Sequence, residues 1–240
     1  MFAPLQSLID LVLPPRCPGC RVIVGGDGRF CVKCWQQLQF ITAPLCPGCG
    51  APFTHDLGPA ARCGPCLAVP PRFTSARAAL VYGGPARGVL LALKHGDRLH
   101  LARFMAPHMA RAAGEWLGPD ALLVPVPLHW QRLWRRGFNQ SALLAQAIAR
   151  NTGAELAIDA LQRAKPTAIS RGLGRKARAA NVRGAFRVKD RNHVRGRCVI
   201  LIDDVLTTGA TAEACARVLR RAGATDVHVL TWARVVREAE

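Results

Sequence analysis

The sequence predicts an α/β domain on a parallel sheet, preceded by a small metal-held module. Three observations predict it. Four Cys-x-x-Cys pairs crowd into the first 66 residues, strand-like apolar runs alternate with helical patterns from about residue 74, and those runs are apolar without alternation. Continuous apolar strands joined by helices are covered on both faces, which is the condition for parallel pairing. The chain has 240 residues, half of them hydrophobic, enough for a core and too many for wholesale disorder. No apolar run reaches the roughly 18 residues of a spanning helix. The stretch Leu8-Ile9-Asp10-Leu11-Val12-Leu13 is short, carries an acid, and lacks a basic flank and a cleavage site. No signal peptide is read there, so a cytoplasmic protein without membrane insertion is expected.

Each element has its own signal. Residues 1–70 form the cysteine module, rich in Pro and Gly and poor in helical periodicity. Leu67 to Ser75 reads as a linker, and the α/β domain spans 74–240. Ala78 to Tyr82 is a strand, and Pro85 opens a helix to about His95, Pro being tolerated in a first turn. A second helix covers about 99–113 and ends at Gly114. Ala121 to Val126 is a buried strand closed by Pro125 and Pro127. Asn139 caps a helix whose apolar face is Leu143, Leu144, Ala147 and Ile148, and Gly153 stops it. Residues 164–196 are basic and weakly periodic, a mobile excursion. Arg197 to Ile202 is a second buried strand, Ala210 to Arg221 a helix stopped by Gly223, and Val227 to Thr231 the last strand.

The net charge is +18, and it is concentrated. Residues 128–200 hold 16 basic and 3 acidic side chains, a net +13. A surplus localised in one segment suits phosphates, nucleic acid or an acidic partner, although an Arg-rich genome with solvated surface charge gives the same composition.

The eight clustered cysteines are Cys17/Cys20, Cys31/Cys34, Cys46/Cys49 and Cys63/Cys66, with 10, 11 and 13 residues between successive pairs. A Cys-x-x-Cys turn brings two thiolates to one metal, Gly19 and Gly48 permit the turn, and two turns make the tetrahedral sulfur set that suits zinc. Eight ligands predict two structural zinc ions. Pairing in sequence order is expected, with interleaving the alternative. Disulfides would need an oxidising compartment, and an iron–sulfur cluster is matched less well by four repeated pairs. Cys198 and Cys215 are single and read as core.

The sharpest signal is Val199-Ile-Leu-Ile-Asp-Asp-Val-Leu-Thr-Thr-Gly-Ala-Thr211. An apolar strand ends in two acids, and a Thr/Gly loop then opens a helix. The loop's N–H groups, the hydroxyls of Thr207, Thr208 and Thr211, and the start of the helix at Ala210 suit a phosphate dianion, with Gly209 allowing close backbone approach. Asp203 and Asp204 can accept hydrogen bonds from two ribose hydroxyls and help hold Mg²⁺ indirectly. The loop lacks Gly-Lys-Ser/Thr and Gly-x-Gly-x-x-Gly. It resembles the phosphoribosyl pyrophosphate (PRPP) motif of type I phosphoribosyltransferases, and that resemblance implies their parallel-sheet fold and a PRPP or nucleoside phosphate ligand.

The basic segment carries Arg132, Arg135-Arg-Gly-Phe-Asn-Gln140, then Arg163, Thr167, Arg171, Arg175, Lys176, Arg178 and Asn181, closing at Gly184-Ala-Phe186. With the four cysteine pairs and the PRPP-like loop, this order resembles the ComF family, including the ComFC competence proteins and GntX-type relatives, over nearly the whole chain. The resemblance implies a phosphoribosyltransferase-like domain behind a double zinc ribbon. It also implies a role in natural transformation, handling incoming single-stranded DNA beside a ComFA-type helicase. Lys94, in Leu93-Lys-His-Gly-Asp97, matches the family's helix-terminal Lys, and the resemblance implies that it reaches the pyrophosphate. Ser170 stands where the family often has Gln.

On an enzymatic reading, Lys94, Asp203 and Asp204 are the catalytic candidates. The PRPP-binding set is then Asp203, Asp204, Thr207, Thr208, Gly209, Ala210, Thr211 and Arg136, with Mg²⁺ on the pyrophosphate. On a binding reading transfer is lost, and Arg135, Arg136, Arg175, Lys176 and Arg178 hold nucleic acid, with Trp130, Trp134 and Phe138 as stacking platforms. A third reading makes the zinc module a scaffold for a helicase partner.

Overall fold

The structure, a computed structural model, describes residues 14–236 except Asp27, residues 96–97, Pro119, residues 166–173 and the side chains of Arg175, Lys176 and Arg178. Among its described residues the cysteine module has two short helices, α1 (Val32–Gln36) and α2 (Gly64–Ala68). The main domain runs β1 (Ser75–Val81), α3 (Gly84–Lys94), α4 (Leu101–Ala113), a short 3₁₀ turn, and β2 (Ala121–Pro125). It continues through α5 (Trp130–Arg136), α6 (Gln140–Thr152), β3 (Glu155–Leu156) and β4 (Leu161–Arg163). It ends with α7 (Arg175–Asn181), β5 (Phe186–Val188), β6 (Cys198–Leu206), α8 (Ala210–Arg221) and β7 (Asp226–Arg234).

Five strands make one sheet in the order β1-β7-β6-β2-β3, parallel at every pairing. Each face has its own core. On one side α3, α4 and α6 bury Leu90, Leu93, Met105, Met109, Leu144 and Ile148. On the other, α8 and β5 close over Val199, Leu201, Val227 and Val229. The apolar strands therefore have two covers, which is why they lack alternation.

That division places the ligand crevice. Helix α6, which follows β2 after α5, lies on one face and α8, which follows β6, on the opposite face, although β2 and β6 are neighbours. Connections leaving in opposite directions open a gap at the carboxyl ends of those two strands. Pairing of β2 stops at Pro125, opposite Ile202, and β6 continues alone beside β7 through Asp203↔Thr231 and Val205↔Ala233. Strand β6 is thus longer than the apolar run alone suggests, and both acids sit on its last part, beside the gap.

Strand β1 would be an open edge, and the cysteine module closes it. Val81 N–H donates to the Gln39 carbonyl at 2.8 Å and Ile41 N–H to the Ala79 carbonyl at 3.1 Å, forming an antiparallel bridge of Phe40 with Leu80. Covering an edge in this way removes a row of unpaired donors and acceptors. The expected linker is also docked: Phe73 is buried, and Arg72 N–H donates to both Glu213 carboxylate oxygens at 3.0 Å.

The stretch expected as a mobile excursion contains ordered elements instead. Among its described residues, α7 and β5 form, β5 pairs antiparallel with β4, and Val182, Ala185, Phe186 and Val194 are buried against the second core. Its anchors are too few and too irregularly spaced to produce a period. Helix α5 was likewise hidden by exposed tryptophans and arginines on about two short turns. The longest helices of the described residues are too short and polar to cross a membrane.

Candidate functional site

The site grows from β6 upward. Glycine at 209 has φ of +78°, a conformation other residues adopt only under strain, and it caps α8. The turn from Thr207 to Thr211 therefore folds back over the strand end and points the first turn of α8 into the crevice. The N–H groups of a helix's first turn have no intrahelical acceptor and carry the positive end of its dipole. Asp203, the loop and Thr231 line a cleft of about 90 Å³ there.

The two acids face different neighbours. Asp204 is buried, and its Oδ2 accepts from Lys94 Nζ at 2.9 Å and from Gln140 Nε2 at 2.9 Å. Arg136 Nη1 donates to Gln140 Oε1 at 2.6 Å, so Arg136, Gln140, Asp204 and Lys94 form one continuous chain. Asp203 Oδ1 accepts from Ser141 Oγ at 3.1 Å and from the Asp204 N–H at 2.9 Å. Asn139 makes this possible: its side chain caps α6 by accepting from Ser141 N–H at 3.0 Å and ties back by donating to the Val126 carbonyl at 3.1 Å.

Lys94 comes from the last residue of α3, Arg136 from the last residue of α5, Gln140 and Ser141 from the start of α6, and the acids from β6; four separate elements thus bring these side chains together. Arg135 does not join them and stays exposed, because adjacent residues on a helix point about 100° apart. The Arg175, Lys176 and Arg178 side chains, and Thr167, Ser170 and Arg171, lie outside the described residues. Gln140 and Ser141 were not singled out as site residues. The signal was present, since both follow directly on the Asn139 cap. Arg163 is a further addition, its guanidinium lying 5.3 Å over the Phe186 ring and within electrostatic range of Asp203.

Burial, followed by the charge of Asp204, raises the Asp203 carboxyl well above its ordinary range, to about 7. Burial likewise lowers Arg136, partly offset by Asp204. A raised acid holds its proton longer in the folded chain than in the unfolded one. Between the unfolded value near 4 and the folded value near 7, folding binds a proton, and stability from this group falls as pH rises. Asp203→Asn is expected to flatten that slope, read from urea unfolding at pH steps across the window. An unchanged slope would contradict the shift.

The cysteine module holds two tetrads. The Sγ atoms of Cys17, Cys20, Cys31 and Cys34 lie within 4.8 Å of one another, and so do those of Cys46, Cys49, Cys63 and Cys66. The pairs therefore associate in sequence order. The closest contacts, Cys20 to Cys31 and Cys49 to Cys63, are 3.5 Å, far beyond a bonded pair and near the sulfur spacing of a tetrahedral zinc. Against burial, backbone N–H groups led by Cys31 pull Cys17 down to about 6, and those led by Cys49 pull Cys46 down to about 7. Such amide donors stabilise the thiolates a metal needs. The donor set and spacing fit two structural zinc ions with no open position. Both halves repeat one design: a hairpin bridge (Arg16 with Ile23, Leu45 with Pro52), then a helix whose N-cap is a ligand cysteine, Cys31 or Cys63.

Comparison with known proteins agrees with this layout. The family model described as a double zinc ribbon domain matches residues 8–67. The chain is similar to DNA utilization protein YhgH of Escherichia coli (strain K12), 34% identical over 234 residues that cover 94% of this chain and all of that protein. It is similar to Competence protein F of Haemophilus influenzae, 30% identical over 228 residues, 91% of this chain and 96% of that one. Among solved structures it is similar to glutamine PRPP amidotransferase from B. subtilis complexed with ADP and GMP, at 23% identity and a TM-score of 0.35, covering 56% of this chain and 26% of that one.

Proposed function

Because the chain belongs to the ComF family of competence and DNA utilization proteins, we propose that it binds PRPP or a nucleoside 5′-phosphate at the end of β6 and acts in the handling of incoming single-stranded DNA. The observation that carries this reading is the juxtaposition at the sheet's crevice of a Gly209-opened loop at the start of α8 with two acids and a lysine. The loop takes the 5′-phosphate and the acids take the ribose hydroxyls. Lys94 and Arg136 lie toward the end of the ligand that carries pyrophosphate.

Phosphoribosyl transfer breaks the bond from the anomeric carbon to pyrophosphate as a cation-like sugar forms. The groups present match that need: carboxylates near the sugar, and cations near the leaving group. Asp204 Oδ2 already accepts from Lys94 and Gln140; Mg²⁺ would come bound to the pyrophosphate and would offset the leaving-group charge there. Pyrophosphate then offers Lys94 a partner of higher charge than Asp204.

A non-catalytic reading rests on a separate observation. Helix α5 exposes Trp130 at 66% and Trp134 at 86%, among Arg132, Arg135 and Arg136. Exposed indoles among arginines suit stacked bases and phosphates of a single strand. In this reading the phosphate site positions DNA for a ComFA-type helicase and no transfer occurs.

One experiment tests both. Calorimetry of zinc-replete protein with Mg²⁺ and PRPP is expected to show binding that thymidine monophosphate competes away, and labelled PRPP with candidate bases then reports pyrophosphate release. Binding without release favours the second reading. No heat with PRPP or any nucleoside monophosphate removes both.

A further inference from the structure

The phosphate loop has a second cleft on its outer side. A groove of about 460 Å³ runs along α8 and is walled opposite by α7 and β5. Val182, Thr208 and Ala210 line both this groove and the loop cleft, so the two adjoin at the loop itself. Along α8 the groove takes positions 210, 213, 214, 217, 218 and 221, a single helical face.

The groove has an apolar floor and a basic rim. Val182, Phe186 and Val218 supply the floor, and Val69, Arg183, Arg217 and Arg221 stand exposed at the rim. None of these three arginines forms an ion pair with a described residue. The groove's carboxylate, Glu213, is turned onto the Arg72 N–H. At 1.5 Å per residue, Arg217 and Arg221 lie roughly 10 and 16 Å along the axis from Ala210. An apolar floor under spaced cations matches a chain of flat bases joined by phosphates. An acidic peptide would match the charge, but nothing in a peptide calls for continuity with a phosphate loop.

We infer that the loop holds one phosphate of a single-stranded oligonucleotide whose neighbouring nucleotides lie in the α8 groove. The ligand class of the site is then a polynucleotide strand as well as a free sugar phosphate. This rests on the phosphate-site reading above and extends it by a strand path that leaves the site past Thr208.

The test compares three ligands by titration: Mg²⁺–PRPP, thymidine monophosphate and a thymidine tetranucleotide. Each is measured on the full zinc-replete chain and on the Arg217→Ala/Arg221→Ala variant, whose changed residues are exposed and away from the loop cleft. The tetranucleotide is expected to bind wild type more tightly than the monophosphate does, and the variant to weaken the tetranucleotide alone. Two phosphate contacts on a single strand contribute a salt slope of about 0.7 each. Between about 50 and about 200 mM salt, wild type should therefore lose about sevenfold more tetranucleotide affinity than the variant. If the tetranucleotide binds no tighter than the monophosphate while PRPP binds normally, the strand path is wrong and the phosphate site stands. Equal losses for all three ligands would also overturn the path, and an unaffected tetranucleotide would give the groove to another partner, such as an acidic peptide. Failure of PRPP and monophosphate together would overturn the phosphate site, and the path with it.

Discussion

Stripping the metal, or replacing Cys46 by serine, is expected to unfold the second ribbon and to destabilise the parallel sheet beside it. The module's described interior is small, with Ile41 and the inner cysteines as its main buried groups. Burial on that scale does not hold about 55 residues, and a structural zinc site contributes on the order of 10 kcal/mol that nothing else supplies. The ribbon is also wired to the sheet. Ala76 N–H donates to the Gly48 carbonyl at 2.8 Å, the Arg77 guanidinium to Pro47, and the Arg234 guanidinium to the Cys49 carbonyl. All three acceptors lie within the third knuckle, Cys46 to Cys49, so losing the turn frees the outer edge of β1 and leaves Arg234, which is buried, without that acceptor.

The expected readings are two zinc ions released per chain to a chromophoric chelator and a fall in melting temperature far larger than a surface substitution gives. Cys198→Ser, at a half-buried position outside both tetrads, is the matched control. Gly50→Ala gives a second route to the same interface without touching a ligand. Gly50 has φ of +68°, and an added Cβ would stand 2.3 Å from the Ala76 carbonyl oxygen, an impossible contact. Its counterpart in the first ribbon, Arg21, also has positive φ, at 70°, yet tolerates a side chain because it is exposed there. A chelated protein that kept its melting temperature would show that the tetrads are not what holds the module.

The contrast between Gly50 and Arg21 shows what the sequence could and could not reveal. The ligand cysteines were visible because a metal demands fixed residue types at fixed spacing. Their role in closing the edge of β1 was not, because backbone donors such as Ala76 N–H carry no sequence signature. The same division holds at the crevice. Asp203, Asp204 and the Thr/Gly turn were legible as a local run on one strand, loop and helix. The partnership of Asp204 with Gln140 joins residues 64 positions apart, and only the placement of α6 beside β6 makes it. Asn139 was read correctly as a cap, and that cap is the device that aims the next two residues at the acids. The elements among the described part of residues 164–196 were missed for the opposite reason: Val182, Phe186 and Val194 anchor them through tertiary burial, without a period to announce it.

Asp204→Asn is expected to abolish measurable binding of Mg²⁺–PRPP while leaving a folded protein. Hydrogen bonds to a charged carboxylate contribute about 1.5–3 kcal/mol each. Losing the charge that on the proposed function would receive a ribose hydroxyl, and that holds Lys94 and Gln140 in line, should therefore weaken binding by about a hundredfold or more. The fold should survive because the site is not sealed. The Lys94 side chain keeps 26% of its surface exposed, so its ammonium reaches water when its partner is neutralised. The cost should then fall below the roughly 3–5 kcal/mol of breaking a fully buried pair. The asparagine also retains an oxygen that can accept from Gln140 Nε2. Lys94→Met separates the two ends of the ligand. If Lys94 serves the pyrophosphate, this variant should bind PRPP at least tenfold more weakly and bind thymidine monophosphate unchanged, since the monophosphate carries no leaving group for Lys94 to meet. Equal losses for both ligands would mean that Lys94 acts only by holding Asp204 in place. Unchanged binding of both would mean that the ammonium belongs to the fold alone.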